Sequence, residues 1–195
     1  MDRRQILGFT AAAAFLSATV PSGGATFMLI DDLSRQAPLA ANGASWEFVA
    51  DRVMGGVSTG SMSRETVEGR TAIRLRGAVS LDNNGGFIQA ALDLSQDGKS
   101  LDASAWRGIA FDVFGNGEEY NLHLRTEDVR RPWQSYRQTF TARKTWQTIL
   151  LPFEDFRPYR IDAPLDLTKL RRIGFVAIGR VFAADVAIGG VRLYR

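Results

Sequence analysis

The stretch Tyr120-Asn121-Leu122-His123-Leu124-Arg125 alternates apolar and polar side chains with a period of two. Such alternation is typical of a β-strand with one buried face and one polar face. The same period recurs along the chain, at residues 46–48, 73–81, 109–113, 136–140, 146–150, 173–178 and 186–193. Turn signals rich in Gly and Asn separate several of these runs, as in Gly115-Asn116-Gly117.

The number and spacing of these runs predict the fold class. About eight or nine runs follow one another from residue 45 onward, and the stretches between them are too short for the helices of βαβ units. We therefore expect an all-β sandwich or barrel that forms a single domain over residues 45–195. Residues 26–44 are predicted to be a lead-in segment starting with a short helix capped by Asp31 or Asp32. One further helical turn is predicted at residues 166–170.

The composition of the 195-residue chain favours a binding or helper protein over an enzyme. The chain is 45% hydrophobic and 23% charged, which is ordinary for a globular protein. The absence of Cys excludes disulfides, thiol nucleophiles and zinc-thiolate sites, and the single histidine, His123, cannot form a multi-histidine metal site. The sequence also lacks a recognisable acid–base pair and a phosphate-cradling motif, so we expect no catalytic residue, metal or cofactor.

The net charge of the chain is modest, but nearly all of its positive charge comes from Arg rather than Lys. The net charge is +3, and 21 of the 24 basic residues are Arg. Arg prefers planar contacts with carboxylates or phosphates, which would suit an anion-binding surface. The alternative, which we favour at this stage, is the codon usage of a GC-rich genome. Positive and negative charges alternate without a basic run, so nucleic acid is not an expected partner.

The first 25 residues are organised like an export signal. Arg3 and Arg4 precede an apolar stretch of 15 residues, 6–20, and a small-residue end, Pro21-Ser22-Gly23-Gly24-Ala25. The apolar stretch is shorter than the ~20 residues of a membrane span. The adjacent arginines resemble the twin-arginine signal of bacteria, with Sec export as the alternative. We therefore expect residues 1–25 to be a signal peptide and the folded part to be periplasmic, tethered to the inner membrane if the signal stays uncleaved.

Two blocks of sequence about thirty residues apart carry a family resemblance. The first is Trp46-Glu47-Phe48-Val49-Ala50-Asp51-Arg52-Val53-Met54-Gly55-Gly56-Val57-Ser58, and the second combines Gly77-Ala78-Val79-Ser80-Leu81 with Asn84-Gly85-Gly86-Phe87. Further matches lie at residues 120–126, 132–136, 146–148 and 151–156. Over residues 45–195 the chain resembles the complex I intermediate-associated protein 30 family. It differs near residues 157–165, where family members often carry Arg-Gly-Arg and this chain has Tyr159-Arg160-Ile161-Asp162.

This resemblance implies a galactose-binding-like jelly-roll β-sandwich, in agreement with the strand pattern. It also implies a non-catalytic assembly or chaperone-like factor, best known from mitochondrial respiratory complex I, NADH:ubiquinone oxidoreductase. A protein client is therefore the first expected partner, and a carbohydrate or small ligand bound by the jelly roll is the alternative. The motif residues expected to be structural are Trp46, Gly55, Gly56, Ser58, Gly85, Gly86, Phe87 and Trp146.

The polar face that carries His123 is the first candidate binding surface. Beside Trp133 and Tyr136, such a face can stack aromatic rings on sugars or peptide side chains; the alternative is a solvated sheet face. Asp51 is expected either to contact a ligand or to hold turn amides, and Met54 to pack in the core or to contact a partner. The candidate partner- or ligand-binding residues are Asp51, Arg52, Met54, Asn84, Tyr120, His123, Arg125, Arg131, Trp133 and Tyr136.

Overall fold

Two six-stranded antiparallel β-sheets form the protein in a computed structural model, which describes residues 26–195. Sheet I consists of β1 (Phe27–Asp31), β3 (Thr59–Val67), β4 (Arg70–Val79), β6 (Gly108–Gly115), β9 (Gln147–Pro152) and β12 (Phe182–Tyr194). Sheet II consists of β2 (Trp46–Ala50), β5 (Phe87–Asp93), β7 (Glu119–Thr126), β8 (Ser135–Thr141), β10 (Arg157–Tyr159) and β11 (Leu170–Ile178). The predicted all-β sandwich is confirmed.

The order of the strands explains how distant segments meet. Sheet I runs β3-β4-β12-β6-β9, with β1 also paired to β12, and sheet II runs β10-β8-β7-β11-β5-β2. The long strand β12 pairs with β4 through its first half and with β6 along most of its length, with a register shift between Ile188 and Val191. In sheet II, β7 and β5 flank β11, so the polar residues of three separate segments lie side by side.

The core lies between the inner faces of the two sheets. Phe111 of β6 packs edge-on against Phe140 of β8 and Phe175 of β11, with both pairs of ring centroids 4.9 Å apart. All three rings are buried. Because strand side chains alternate between faces, the residues next to these rings point away from the core and are free to form an outer surface.

The segment before residue 45 is part of the sandwich, and the helix predicted at its start is wrong. Asp31 ends strand β1, and its buried carboxylate accepts hydrogen bonds from Leu33 N (2.9 Å), Ala41 N (2.9 Å) and Trp46 Nε1 (2.7 Å). Ile30 and Leu33 are buried in the core. The same Asp that signals a helix cap in the sequence therefore ties β1 to β2, and no separate lead-in exists.

The other predicted helical turn is present as a 3-10 turn at Leu167–Lys169, where Asp166 accepts a hydrogen bond from Thr168 N at 3.0 Å.

The expected signal peptide, residues 1–25, lies outside the described residues. In residues 26–195, no helix has the length and apolar character needed to cross a membrane. This part of the chain also contains no cluster of three or more His, Asp or Glu side chains arranged to hold a metal ion.

Candidate functional site

A groove of about 320 Å³ crosses the outer face of sheet II. Its lining residues alternate along β5, β7, β8 and β11 with residues of the core, so they project from the opposite side of the sheet. A neighbouring recess continues the groove toward β2, since the two share the lining residues Met54, Phe87, Gln89, Arg125, Pro132 and Arg172.

The floor of the groove is formed at the centre of β11. Gly174 pairs with Ala91 of β5 on one side and with His123 of β7 on the other. A Cβ atom at this position would lie 2.6 Å from Nε2 of Gln89. The absence of a side chain at Gly174 thus leaves room for the Gln89 amide to lie over the strand, and keeps the floor open.

His123 is the buried polar group of the groove. Its side chain is 8% exposed, and Nε2 has no hydrogen-bond partner within residues 26–195. Burial, and next the charges of Arg137 and Arg125, lower the pKa of His123 to about 3, so the imidazole is neutral at pH 7. Buried polar atoms in proteins are normally paired. A neutral imidazole nitrogen lining a groove is therefore suited to a ligand hydroxyl, which both donates and accepts.

One rim of the groove carries two aromatic rings. Trp133 is 44% exposed on the loop between β7 and β8. Arg125 holds this loop, because its Nη1 donates to the carbonyl oxygen of Pro132 at 2.9 Å. Tyr159 of β10 lies against Arg137, with the guanidinium carbon 3.5 Å from the ring centroid. Trp133 and Tyr159 thus form a rim on which a ligand ring can stack, and the cations Arg125 and Arg137 contact this rim.

The far end of the groove is built from the two sequence blocks that carry the family resemblance, residues 46–58 and 77–87, which meet at Asp51. We call Asp51, Ser58, Gly86 and Phe87 the Asp51 cluster. The buried carboxylate accepts hydrogen bonds from Ser58 Oγ (2.5 Å), Ser58 N (3.0 Å), Gly86 N (2.6 Å) and Phe87 N (3.3 Å). The cluster joins the loop after β2 to the loop before β5, and the second loop lines the groove.

Two glycines make this approach possible. A Cβ atom at Gly56 or Gly85 would overlap the Asp51 carboxylate. Burial raises the pKa of Asp51, but the hydrogen bonds from Ser58, Gly86 and Phe87 outweigh burial and hold the pKa below its ordinary value. The carboxylate is therefore an ionised structural anchor, and the combination of Asp, paired Gly and Ser in the two blocks has a physical reason.

Three of the predicted binding residues are buried away from the groove. Asp51 is fully buried and its oxygens are used inside the Asp51 cluster. Tyr120 is buried in the core, where its hydroxyl donates to Asn116 Oδ1 and accepts from Asp185 N, and burial raises its pKa to about 12. Tyr136 is buried too, and its hydroxyl donates to the carbonyl oxygens of Ala163 and Pro164. Tyr120 and Tyr136 are therefore core residues rather than ligand contacts, and of the two roles expected for Asp51 the structure shows the holding of turn amides.

The other candidates divide between the groove and its surroundings. His123, Arg125, Trp133, Asn84 and Met54 line the groove. Met54 is 41% exposed, so of the two places expected for it, the core and a partner-contacting surface, the core is wrong. The remaining two candidates, Arg52 and Arg131, are exposed and lie outside the groove lining.

The two motif tryptophans have separate structural roles. Trp46 is buried in the main core, where its indole donates to Asp31 and its ring packs near Phe175. Trp146 packs against Phe114 in a smaller cluster and donates from Nε1 to the carbonyl oxygen of Val67 at 3.1 Å. Both positions therefore stabilise sheets rather than bind a ligand.

Several groove residues were missed in the sequence. Gln89, Arg137, Tyr159, Arg160, Arg172 and Gly174 all line it. Arg137 sits next to Tyr136 in a run with a period of two, so the alternation could have found it. The others come together because strands that are distant in the sequence become neighbours in sheet II, which the alternation within one strand does not predict.

Solved structures similar to this chain include several carbohydrate-binding modules. The family 11 module of a cellulosomal cellulase of Clostridium thermocellum is 16% identical, with a TM-score of 0.69 over 86% of this chain and 94% of that one. The family 11 module from Clostridium thermocellum in complex with a β-1,3-1,4-mixed-linked tetrasaccharide is 18% identical, with a TM-score of 0.66 and the same coverage. A family 30 module has a TM-score of 0.54 at 17% identity, covering 70% of this chain and 73% of the module.

The fold is therefore a galactose-binding-like jelly-roll β-sandwich, the fold of these carbohydrate-binding modules. No characterised protein matches the chain significantly by sequence alone. Residues 36–188 match the model of the complex I intermediate-associated protein 30 family, and the chain belongs to that family. The resemblance of the two blocks and the predicted jelly roll are thereby confirmed.

Proposed function

We propose that the groove on sheet II binds a saccharide. The observation that carries this proposal is the pairing of the exposed Trp133 ring with the unpartnered Nε2 of His123 in one groove. A sugar ring offers an apolar face for stacking and hydroxyls for a buried polar atom, so it satisfies both groups at once.

The dimensions and surroundings of the groove support this function. Its volume of about 320 Å³ lies at the lower end of the range for small-ligand sites, which suits a short segment of a chain rather than a whole globular partner. The similar carbohydrate-binding modules add support from the fold, one of them having been solved with a bound tetrasaccharide.

The test is oligosaccharide binding by wild type and Trp133→Ala, measured by calorimetry across neutral and acidic oligosaccharides. Loss of a stacking tryptophan should weaken binding about 10- to 30-fold, which is the effect of truncating a central aromatic residue. Phe27→Ala is the matched control, because Phe27 is a similarly exposed aromatic residue, 46% exposed, on sheet I. Equal affinities of wild type and Trp133→Ala, or no binding across the panel, would contradict the proposal.

A second candidate function is assembly of a protein complex, since the family is named for a protein associated with a complex I intermediate. The observation that favours it is a group of exposed apolar side chains, Met54, Val57 and Leu81, on loops joined by the Asp51 cluster. Exposed apolar side chains that lie together mark sites of protein contact. A blank oligosaccharide panel, together with a client protein that crosslinks equally to wild type and Trp133→Ala, would favour this function instead.

A further inference from the structure

The groove is lined by an unusual concentration of positive charge. Six arginines line the groove and its adjoining recess: Arg125, Arg130, Arg137, Arg160, Arg171 and Arg172. No Asp or Glu is among the lining residues of either part within residues 26–195. Six of the 21 arginines of the chain therefore lie at one site.

Most of this charge has no internal partner. Arg172 pairs with Glu47 (2.5 Å) and with Asp93 (3.0 Å), which lie beside the recess. The other five arginines have no carboxylate within 4.0 Å in the described part of the chain. Burial, and next the charges of Arg171 and Arg172, lower the pKa of Arg125. Partly buried cations without a counter-charge favour an anion that can enter the groove.

Arg137 is the best-placed of these cations. Its Nε donates to Ser135 Oγ at 2.8 Å, and its guanidinium carbon lies over the Tyr159 ring, 3.5 Å from the centroid. These contacts fix the plane of the guanidinium and leave Nη1 without a hydrogen-bond partner in the described residues. A fixed, planar guanidinium with available N–H groups matches the geometry of a carboxylate. Arg137 also pairs across strands with His123, so the cation and the unpartnered imidazole are neighbours.

We infer that the ligand of the groove is an acidic saccharide, in which a sugar carboxylate contacts Arg137 while a hydroxyl pairs with His123. This inference rests on the saccharide-binding function proposed above. A uronate ring carries both groups, whereas a neutral sugar would leave the positive charge of the groove uncompensated.

The experiment compares two ligands of equal length and linkage, cellotetraose and its counterpart oxidised to the carboxylate at every C6. Binding is measured by calorimetry at about 20 mM and 300 mM NaCl. The carboxylated ligand should bind at least about tenfold more tightly at low salt, and the advantage should shrink at high salt because exposed charges are screened. Arg137→Gln should lose this preference, and Arg137→Lys should retain part of it. Arg143→Gln, which changes an exposed arginine outside the groove, should behave as wild type.

The outcomes separate this inference from the function on which it rests. Equal affinity for the two ligands would overturn the inference and leave saccharide binding intact. No binding of either ligand would overturn the inference, and no binding across the whole oligosaccharide panel would overturn both. A fifteen-residue oligothymidylate that binds as tightly as the carboxylated sugar, with no loss in Trp133→Ala, would show general attraction of polyanions and would also overturn it. Thermal unfolding of each variant shows whether a lost preference reflects the groove or the fold.

Discussion

The burial and charge state of His123 depend on the residues that surround it in the groove. The alternation of its strand places it opposite the core residues Leu122 and Leu124, on the polar face. It is nevertheless almost inaccessible, because Gln89 and Arg137 lie around it in the groove. The combination of a polar strand face with deep burial makes the imidazole a neutral group in a positive environment. No pattern in the sequence distinguishes that state from an exposed histidine of ordinary pKa.

The depressed pKa of His123 predicts how stability depends on pH. The unfolded chain protonates His123 near pH 6.5, whereas the folded protein does so near pH 3. The stabilisation from a neutral His123 is therefore fully present above pH 6.5 and is lost as the pH falls toward 3. Between pH 7 and pH 5 the free energy of unfolding should fall by about 2 kcal/mol from this group.

Urea unfolding at pH 7 and pH 5 checks this prediction, and His123→Gln should lack that part of the pH dependence. Because the chain contains one histidine, its ring protons can also be assigned directly by NMR. A ring signal that titrates with a midpoint near pH 6.5 in the folded protein would contradict the placement of His123.

At the scale of elements, the Asp51 cluster shows why two distant blocks belong together. Asp51 follows β2, whereas Gly86 and Phe87 lie at the start of β5, so one carboxylate fixes both loops. The pairing of β2 with β5 brings the two loops to the same end of sheet II. The family resemblance identified these residues as a motif, and the structure supplies the reason for their types.

Asp51→Asn should therefore destabilise the protein and weaken binding in the groove. An amide presents an N–H group to donors that require an acceptor, and the loss of charged hydrogen bonds costs about 1.5–3 kcal/mol. Because Gly85, Gly86 and Phe87 line the groove, ligand affinity should fall in the same variant. The measurements are urea unfolding and calorimetry. Asp82→Asn changes an exposed carboxylate on the same loop before β5 and should leave both unchanged.

The sequence pattern predicted eight of the twelve strands, and the four that it missed have physical reasons. Each of the eight runs with a period of two coincides with a strand, although run 73–81 passes the end of β4 by two residues and run 146–150 starts one residue before β9; β1, β3, β5 and β10 were missed. β3 lies at the edge of sheet I and is mostly polar, so it lacks the apolar alternation of a half-buried strand. β5 has the opposite problem: Ala90, Ala91 and Leu92 are all buried, and consecutive apolar residues hide the period. β10 has only three residues.

At the scale of the whole molecule, the candidate site exists only through tertiary pairing. Trp133 and His123 could be predicted from the sequence, because one is an aromatic residue in a polar loop and the other lies on a polar face. The same alternation, followed strictly, would have placed Tyr120 in the core with Leu122. The clustering of arginines from four separate segments of chain could not be predicted, since it depends on which strands become neighbours. Codon usage, which we favoured as the reason for the high Arg content, does not explain why six of these arginines lie at one site.

Residues 1–25 are predicted to determine where in the cell the chain is located. We propose that the pair Arg3-Arg4 is read by the twin-arginine export machinery, as the order of charged, apolar and small residues indicates. The full chain, expressed in a bacterium with this pathway, should then appear in the periplasmic fraction. Changing both arginines to lysine should keep it in the cytoplasm, because the pathway recognises the arginine pair itself. The matched control changes Arg130 and Arg131 to lysine. Unaltered export of the Arg3-Arg4 variant would instead assign the chain to Sec, and cytoplasmic wild type would refute the signal.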